Sequence, residues 1–379
     1  MTSIYLIRHG EAEGNLYRRA QGQFEADITA KGHRQIAALA ERFRNVHIDA
    51  LYSSDLRRTR ITAGAITKYH ELPMNLEPRL REVCLGTWED EPWGNLSHDF
   101  PEAMTAFNDD PEAWTAPRAE SFQQLGKRMT EAVLDIAAAH EGQTVACVSH
   151  GMAIRTLLSL VLGIPSGEIR RLPHGDNTAV SLLEIEGENI KVIFYNDASH
   201  LEGELSTFAR QSWWRKPGLH DENNVRFRYI DPAVEGELYT EFYAEAWRAV
   251  HGSLAGFVPE LYLPSARRHY AEHERSIAVI LRGDEPVGLT ELDTKRGEAE
   301  GYGWICLCCV KEEYRRCLLG VQLLGHAVSL FRRLGYKSIR LSVFPGNTAA
   351  LSFYRENGFV KIGETPGVFG QLDIMEKMI

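Results

Sequence analysis

Two short apolar runs in this chain lead into a histidine followed by glycine. Ile4-Tyr5-Leu6-Ile7 runs into Arg8-His9-Gly10-Glu11, and Thr144-Val145-Ala146-Cys147-Val148 runs into Ser149-His150-Gly151. An arginine beside a histidine suits an anion site with a nitrogen nucleophile: the imidazole offers a lone pair and the guanidinium a fixed charge. Between the two histidines, Arg57, Arg58 and Arg60 follow Ser54-Asp55, and Arg81-Glu82 supplies a carboxyl group of the kind used for proton transfer. Asn15 adds an amide close behind His9. Any one of these stretches alone is equally a strand end or helix turn with solvated side chains.

The elements that must position these residues follow from the spacing. The two apolar runs read as buried strands, and the polar residues after them as loops at the carboxyl ends, where open parallel sheets bind ligands. A helix is predicted from about Gly32 to Arg44, a strand over Ala50–Ser53, and a helix capped by Ser54-Asp55. Residues 84–118 alternate Gly, Pro and Asp with Trp88, Trp93, Phe100, Phe107 and Trp114 without a clean period. That texture suits a helical excursion or lid over a site, with Trp88, Glu89, Trp93 and Arg118 shaping the substrate. A helix over Ser121–His140, another from Met152 to Leu162, and a hairpin around Gly187 complete a first α/β domain. Strand–helix alternation changes near residue 200. The expected division is residues 1–202, a connector at 203–224 containing Trp213-Trp214, and a second αβ domain at 225–379.

With 379 residues, 44% hydrophobic and 25% charged, the chain has the content for two sizeable cores. A net charge of -10 argues against nucleic acid or an anionic membrane as the main partner, while leaving room for a local basic pocket. The six cysteines lack the spacing of a disulfide framework or zinc ribbon, and Cys306-x-Cys308-Cys309 reads as buried strand thiols, so no metal ligand set is expected. No leader-like segment or membrane-length apolar run is visible, and a reducing cytoplasm is the expected location.

Taken in order, Arg8-His9-Gly10, Leu56-Arg57-Arg58, Arg81-Glu82 and Ser149-His150-Gly151 resemble the histidine phosphatase superfamily, the phosphoglycerate-mutase-like branch. Asp27–Gly32, Asn177-Thr178 and Asn196–Leu201 also look like stretches of that family. The resemblance implies a three-layer α/β/α sandwich acting on a small phosphorylated metabolite. His9 would carry a phosphohistidine; Arg8, Asn15, Arg58 and His150 would bind the phosphoryl oxygens; Glu82 would be the proton donor and then acceptor. No metal is required in that scheme, because cationic side chains neutralise the phosphoryl charge. A glutamate donor at neutral pH needs its pKa raised by burial, which points to a neutral-to-acidic optimum. The family commonly has glycine at the first position of Ala119-Glu120-Ser121, which leaves Glu120 and Ser121 at the site's edge. His174 and His200 read as structural or as supports behind the site residues.

Farther on, a strand near 303–310 leads into Arg315-Arg316-Cys317-Leu318-Leu319-Gly320 and a helix, and Asn347 caps a helix carrying Tyr354 and closed by Gly358. Backbone N–H groups opening a helix make an anion cradle. These stretches resemble the GNAT (GCN5-related N-acetyltransferase) family, an α+β fold with a mixed, splayed sheet. The resemblance implies that acetyl-CoA binds along Val310 and Arg315 to Gly320, with Asn347 assisting and Tyr354 protonating the departing thiolate; the acceptor would be a small amine. Leu318 stands where the family usually has glycine. Glu291, Glu298 and Glu300 are candidate bases by location only. The expectation is thus a bifunctional phosphatase and N-acetyltransferase. The alternatives are a GNAT half that only senses or binds acetyl-CoA, and, in the first half, a phosphomutase.

Overall fold

The computed structural model describes residues 1–210, 223–367 and 370–379; Trp213-Trp214 and the start expected for the last strand at Val368 lie outside the described residues. The chain divides into two compact units, Met1–Glu91 with Leu96–Asp221, and Pro92–Asn95 with Glu222–Ile379.

In the first unit the order is β1 (Thr2–Arg8), α1 (Glu13–Leu16), α2 (Ala30–Phe43), β2 (Ala50–Ser53), α3 (Arg57–Thr67), β3 (Met74–Leu76), α4 (Trp93–Asp99), α5 (Pro101–Asp109), α6 (Phe122–Ala139), β4 (Thr144–Ser149), α7 (Gly151–Val161), β5 (Val180–Glu186) and β6 (Asn189–Asp197). The strands form one mixed sheet, β3-β2-β4-β1-β5-β6. β3, β2, β4 and β1 run parallel, and β5 and β6 close the sheet antiparallel. Inner parallel strands are covered on both faces and so read as continuous apolar runs. Ile7, Ala146 and Val148 pack under α2 and α3 with Leu39, Phe43 and Ile66. The alternate residues face α6, where the Thr2 hydroxyl donates to the Ala137 carbonyl at 2.9 Å.

The excursion over 84–118 is more than a lid. Trp88 and Trp114 are 3% and 1% exposed and meet edge to face, and Trp114 meets Phe107 in the same way, a small core of their own. Trp88 therefore packs in the scaffold of this excursion. The sequence is aperiodic here because short helices and turns share one cluster.

The second unit contains β7 (Arg226–Tyr229), α8 (Gly236–His251), α9 (Leu263–Glu272), β8 (Ile277–Arg282), β9 (Glu285–Asp293), β10 (Tyr302–Val310), α10 (Leu319–Arg333), β11 (Ser338–Val343), α11 (Thr348–Glu356), β12 (Val360–Gly367) and β13 (Gly370–Met378). Its seven strands are ordered β12-β13-β11-β10-β9-β8-β7, and β10–β11 is the parallel pair. α8 and α9 cover one face through Tyr239, Phe242 and Ala266, and α10 covers the other through Leu319 and Leu323. β10 pairs with β11 only from Tyr302↔Ser338 to Ile305↔Leu341, then continues to Val310 on β9 alone. The two strands part at that point, so the sheet is splayed.

Candidate active sites

The register of three parallel strands builds the first site. Arg8 is opposite Ser149 on β1 and β4, and Ser53 is opposite Val148 on β2 and β4. The residues that follow, His9, His150 and Ser54, therefore emerge together at one sheet edge. The rings of His9 and His150 lie 5.2 Å apart. Nδ1 of His9 meets the Gly10 carbonyl at 2.7 Å. A carbonyl only accepts, so Nδ1 carries the proton and the lone pair is on Nε2. Burial, then the charges of Arg58 and Arg8, push the His9 pKa well below its ordinary value, so the ring is a neutral nucleophile.

Arg58 is fully buried. Its Nε donates to Nδ1 of His150 at 3.2 Å, and its terminal nitrogens donate to the Gly22 and Phe24 carbonyls at 2.6 and 3.2 Å. Nε2 of His150 then donates to the Ser54 hydroxyl at 2.9 Å. Glu89 accepts from the N–H groups of Gln23 and Leu85 at 2.8 and 3.0 Å, so the 22–24 loop is held through both its carbonyls and its amides. Arg57, by contrast, is 61% exposed and pairs with Asp27. Neither Ser54 nor Asp55 caps α3 as expected: the N-cap is Leu56, without a side-chain bond, and Asp55 instead pairs with Arg81.

Arg8 donates to the Gly175 carbonyl at 2.6 Å and lies over the Phe208 ring. Its Nε is buried with no acceptor among the described residues, which is the signature expected where an anion binds. A Cβ on Gly151 would sit 3.2 Å from that Nε, so glycine there lets α7 come close. Asn15 accepts from the Ala12 N–H at 3.1 Å through Oδ1, which turns its amide nitrogen toward other partners.

Glu82 is buried at the start of α7. Its carboxyl group accepts from the N–H groups of Val83, Met152 and Ala153 at 2.9, 3.0 and 2.8 Å. Burial raises its pKa, against the pull of those amides and of Arg58. The Glu82 backbone is fixed by Arg128, whose guanidinium donates to the Arg79, Arg81 and Glu82 carbonyls at 2.7, 2.7 and 2.9 Å. Glu120 pairs with the same guanidinium at 2.6 and 2.8 Å. Glu120 is thus a clamp on Arg128, and Ser121 is the N-cap of α6. Nothing in the sequence singled out Arg128, because three of its partners are main-chain carbonyls and the fourth, Glu120, lies two turns away on the other side of a helix start.

Residues 203–208 bond into this unit. Thr207 donates to Glu11 at 3.1 Å and its N–H to Asp176 at 3.1 Å, while the buried Gln35 amide donates to the Leu205 carbonyl at 2.7 Å. His174 contacts Arg155, and His200 contacts Thr178 and Arg42, so both serve the scaffold.

In the second unit, α10 opens at Leu318, with no side-chain cap, so among the described residues the amides of its first turn lack an acceptor. Arg316 and Leu318 adopt φ of 62° and 60°, the left-handed conformation favoured by glycine. The Leu318 side chain is exposed, as is Cys317. Arg315 is committed to the Val310 carbonyl and to Glu245. This loop fits the phosphates of an acyl-CoA: unpaired amides, a helix N-terminus, and no acidic side chain from Arg315 through Gly320. Asn347 caps α11, accepting from the Ala350 N–H at 3.1 Å. Tyr354 is buried against Phe353 and Phe359, and its hydroxyl meets the Cys308 thiol where β10 has left β11. Burial pushes its pKa well up, which keeps it a proton donor. Glu291 is 2% exposed and bonded, while Glu298 pairs with Lys295 on the surface.

Residues 4–198 match the histidine phosphatase superfamily (branch 1), and residues 238–359 match the acetyltransferase (GNAT) family. The chain belongs to the histidine phosphatase superfamily and carries a GNAT acetyltransferase domain after it. Its relatives include the probable phosphoglycerate mutases GpmB of Yersinia pestis (strain Pestoides F) and of Yersinia pseudotuberculosis. Each is 39% identical over 172 residues, which is 45% of this chain and 80% of the relative. Among solved structures, Bacillus stearothermophilus YhfR is 32% identical with a TM-score of 0.51, over 53% of this chain and 99% of that one. Among the described residues no helix is long and apolar enough to cross a membrane.

Proposed function

We propose that the chain is a bifunctional enzyme. The first unit hydrolyses the phosphomonoester of a small metabolite, and the second transfers an acetyl group to a small amine. The observation that carries the first half is the bond from Nδ1 of His9 to Gly10, which leaves a neutral Nε2 lone pair in the same site as the Arg8 Nε, which has no acceptor among the described residues. In this reading Nε2 attacks phosphorus as the bond to the leaving oxygen breaks, and protonated Glu82 gives that oxygen its proton. Water then attacks the phosphohistidine, Glu82 takes the water's proton, and phosphate leaves. Arg8, Arg58, His150 and Asn15 hold the phosphoryl oxygens throughout.

The test is phosphate release from an aryl phosphate without added metal, by the parent chain and by His9→Ala. Turnover lost in the variant, with an acid-labile phosphohistidine trapped in the parent, supports the reading. Equal turnover in both ends it. A mutase reading draws support from the names of the Yersinia relatives. Label passing from a phosphorylated donor into an acceptor, and not into inorganic phosphate, would favour it.

In the second unit, acetyl-CoA supplies the acyl group. The loop from Arg315 to Gly320 would bind its phosphates; as the amine nitrogen bonds to the acyl carbon and the carbon–sulfur bond breaks, Tyr354 would give the departing sulfur a proton and the amine would release one to water. The side chain at Leu318 favours a binding-only alternative. Tight acetyl-CoA binding without transfer to any of a broad amine panel would select that alternative.

A further inference from the structure

The second unit holds a cluster that neither proposed reaction uses. Nε2 of His269 on α9 lies 3.1 Å from Oδ2 of Asp293 at the end of β9. The Sγ of Cys306 completes a group of three donor atoms, all within 4.8 Å of one another. Cys306 falls at the irregularity in β10, where the register on β9 shifts between Ile305 and Leu307. A bulge of this kind re-aims a side chain. His269 is 3% exposed and Asp293 is 8% exposed.

The tautomer of His269 is set from behind. Its Nδ1 donates to Oε1 of Glu291 at 2.7 Å, and the Tyr239 hydroxyl donates to Oε2 of the same carboxylate at 2.9 Å. With Nδ1 committed to Glu291, Nε2 of the ring faces the Asp293 carboxylate. Across that distance the pair calls for positive charge, as a proton on the ring or as a bound cation. Arg268 partly answers: its Nη2 lies 3.0 Å from Nε2 of His269 and 3.7 Å from Oδ2 of Asp293. That side chain is 60% exposed, so it can withdraw to solvent.

We propose that His269, Asp293 and Cys306 form a site for a divalent transition metal of the zinc class, with Glu291 and Tyr239 orienting the histidine. The donor set of one imidazole, one carboxylate and one thiolate is what zinc selects. Tetrahedral zinc spaces such donors by about 3.3 to 3.6 Å, within reach of the present arrangement after a small shift of Cys306. A carboxylate behind the ligating histidine is the usual support for a zinc-bound imidazole. Three protein ligands leave a fourth position for water. Binding breaks the S–H bond of Cys306, forms a metal–sulfur bond and releases one proton to solvent. The ligands are far apart in sequence and on three elements, so no spacing motif announces them.

The test uses the full chain with reduced thiols and cobalt(II) as the probe. The parent chain should bind one equivalent and show the intense near-ultraviolet band of a thiolate bound to cobalt. Zinc should displace it and raise the melting temperature. Cys306→Ser should lose the band, His269→Gln and Asp293→Asn should lose most of the affinity, and Cys84→Ser should behave as the parent. Glu291→Gln should weaken binding about 10- to 100-fold. Absence of the thiolate band in the parent overturns the proposal whatever the variants do. So does a band that survives in Cys306→Ser.

Discussion

Nε of Arg58 donates to Nδ1 of His150 across 3.2 Å, inside a pocket where both side chains are fully buried. That one bond links the helix-borne arginine to the histidine at the end of β4, and it leaves the other imidazole nitrogen to donate to Ser54. Removing Arg58 strands a ring nitrogen and two loop carbonyls without donors. Arg58→Ala should lower phosphatase kcat by about 100- to 1,000-fold, the usual cost of an oxyanion donor. It should also destabilise the unit by about 1–3 kcal/mol for unsatisfied buried groups. Arg57→Ala, on the exposed side of the same turn, should be near the parent in both. Initial rates and urea midpoints of the two variants check this.

Glu82 is the second pivot. Its pKa is raised by burial, so its protonated form persists above the ordinary carboxylate range and is depleted as pH climbs through the raised value. In the proposed reaction, kcat falls on the alkaline side as the donor is lost. Glu82→Gln should abolish that limb and should harm alkyl phosphates, whose leaving groups need a proton, far more than nitrophenyl phosphate. Arg128→Leu leaves Glu82 in place but frees its backbone. It should give the same bias toward good leaving groups in weaker form, with KM little changed. A pH profile on both substrates for each variant separates this from a purely structural loss, which would lower both rates equally.

Much of this was legible beforehand because strand ends are short-range objects. An apolar run followed by Arg-His-Gly needs only the alternation of a few residues to be read, and β1 and β4 sit where those runs predict. The choice of Arg58 over Arg57 also follows from the family pattern. What stayed hidden depends on partners distant in sequence or on main-chain groups. Arg128 acts on three carbonyls, Glu89 on loop amides, and Thr207 reaches Glu11 across nearly the whole unit. The packing of Trp88 was hidden because an aromatic in an aperiodic stretch looks the same in a lid and in a small satellite core.

Acid stability follows from the buried imidazoles. His9, His150 and His174 are held well below their ordinary pKa by desolvation, and His200 is lowered to about 4. Below about pH 6.5 the unfolded chain therefore binds more protons than the folded one. The stability these groups contribute is complete above that pH and falls as pH drops toward their folded values, by at most about 1.4 kcal/mol per pH unit for each histidine. Glu82, raised instead of lowered, works in the opposite sense and offsets only one proton. Urea melts of the first unit's transition should show the midpoint falling between pH 6.5 and 4.5. His200→Gln should flatten part of that slope, and a flat parent profile would remove the basis for neutral buried histidines.

The loop that opens α10 makes the last prediction. Leu318 holds φ of 60°, a conformation that costs an L-residue about 1–2 kcal/mol relative to glycine. Leu318→Gly relieves this, but returns some of the gain as extra backbone freedom in the unfolded chain. The stability change should therefore be small and favourable, under about 1 kcal/mol. Affinity is where the effect should show. The unsatisfied amides of the first turn are the proposed phosphate cradle, and the exposed leucine side chain stands beside them. Isothermal titration with acetyl-CoA should give a several-fold lower Kd for Leu318→Gly. Dephospho-CoA, which keeps the pyrophosphate, should show the same gain, whereas pantetheine, which lacks it, should show none. A gain of equal size with pantetheine would place the effect on loop order instead of phosphate contact.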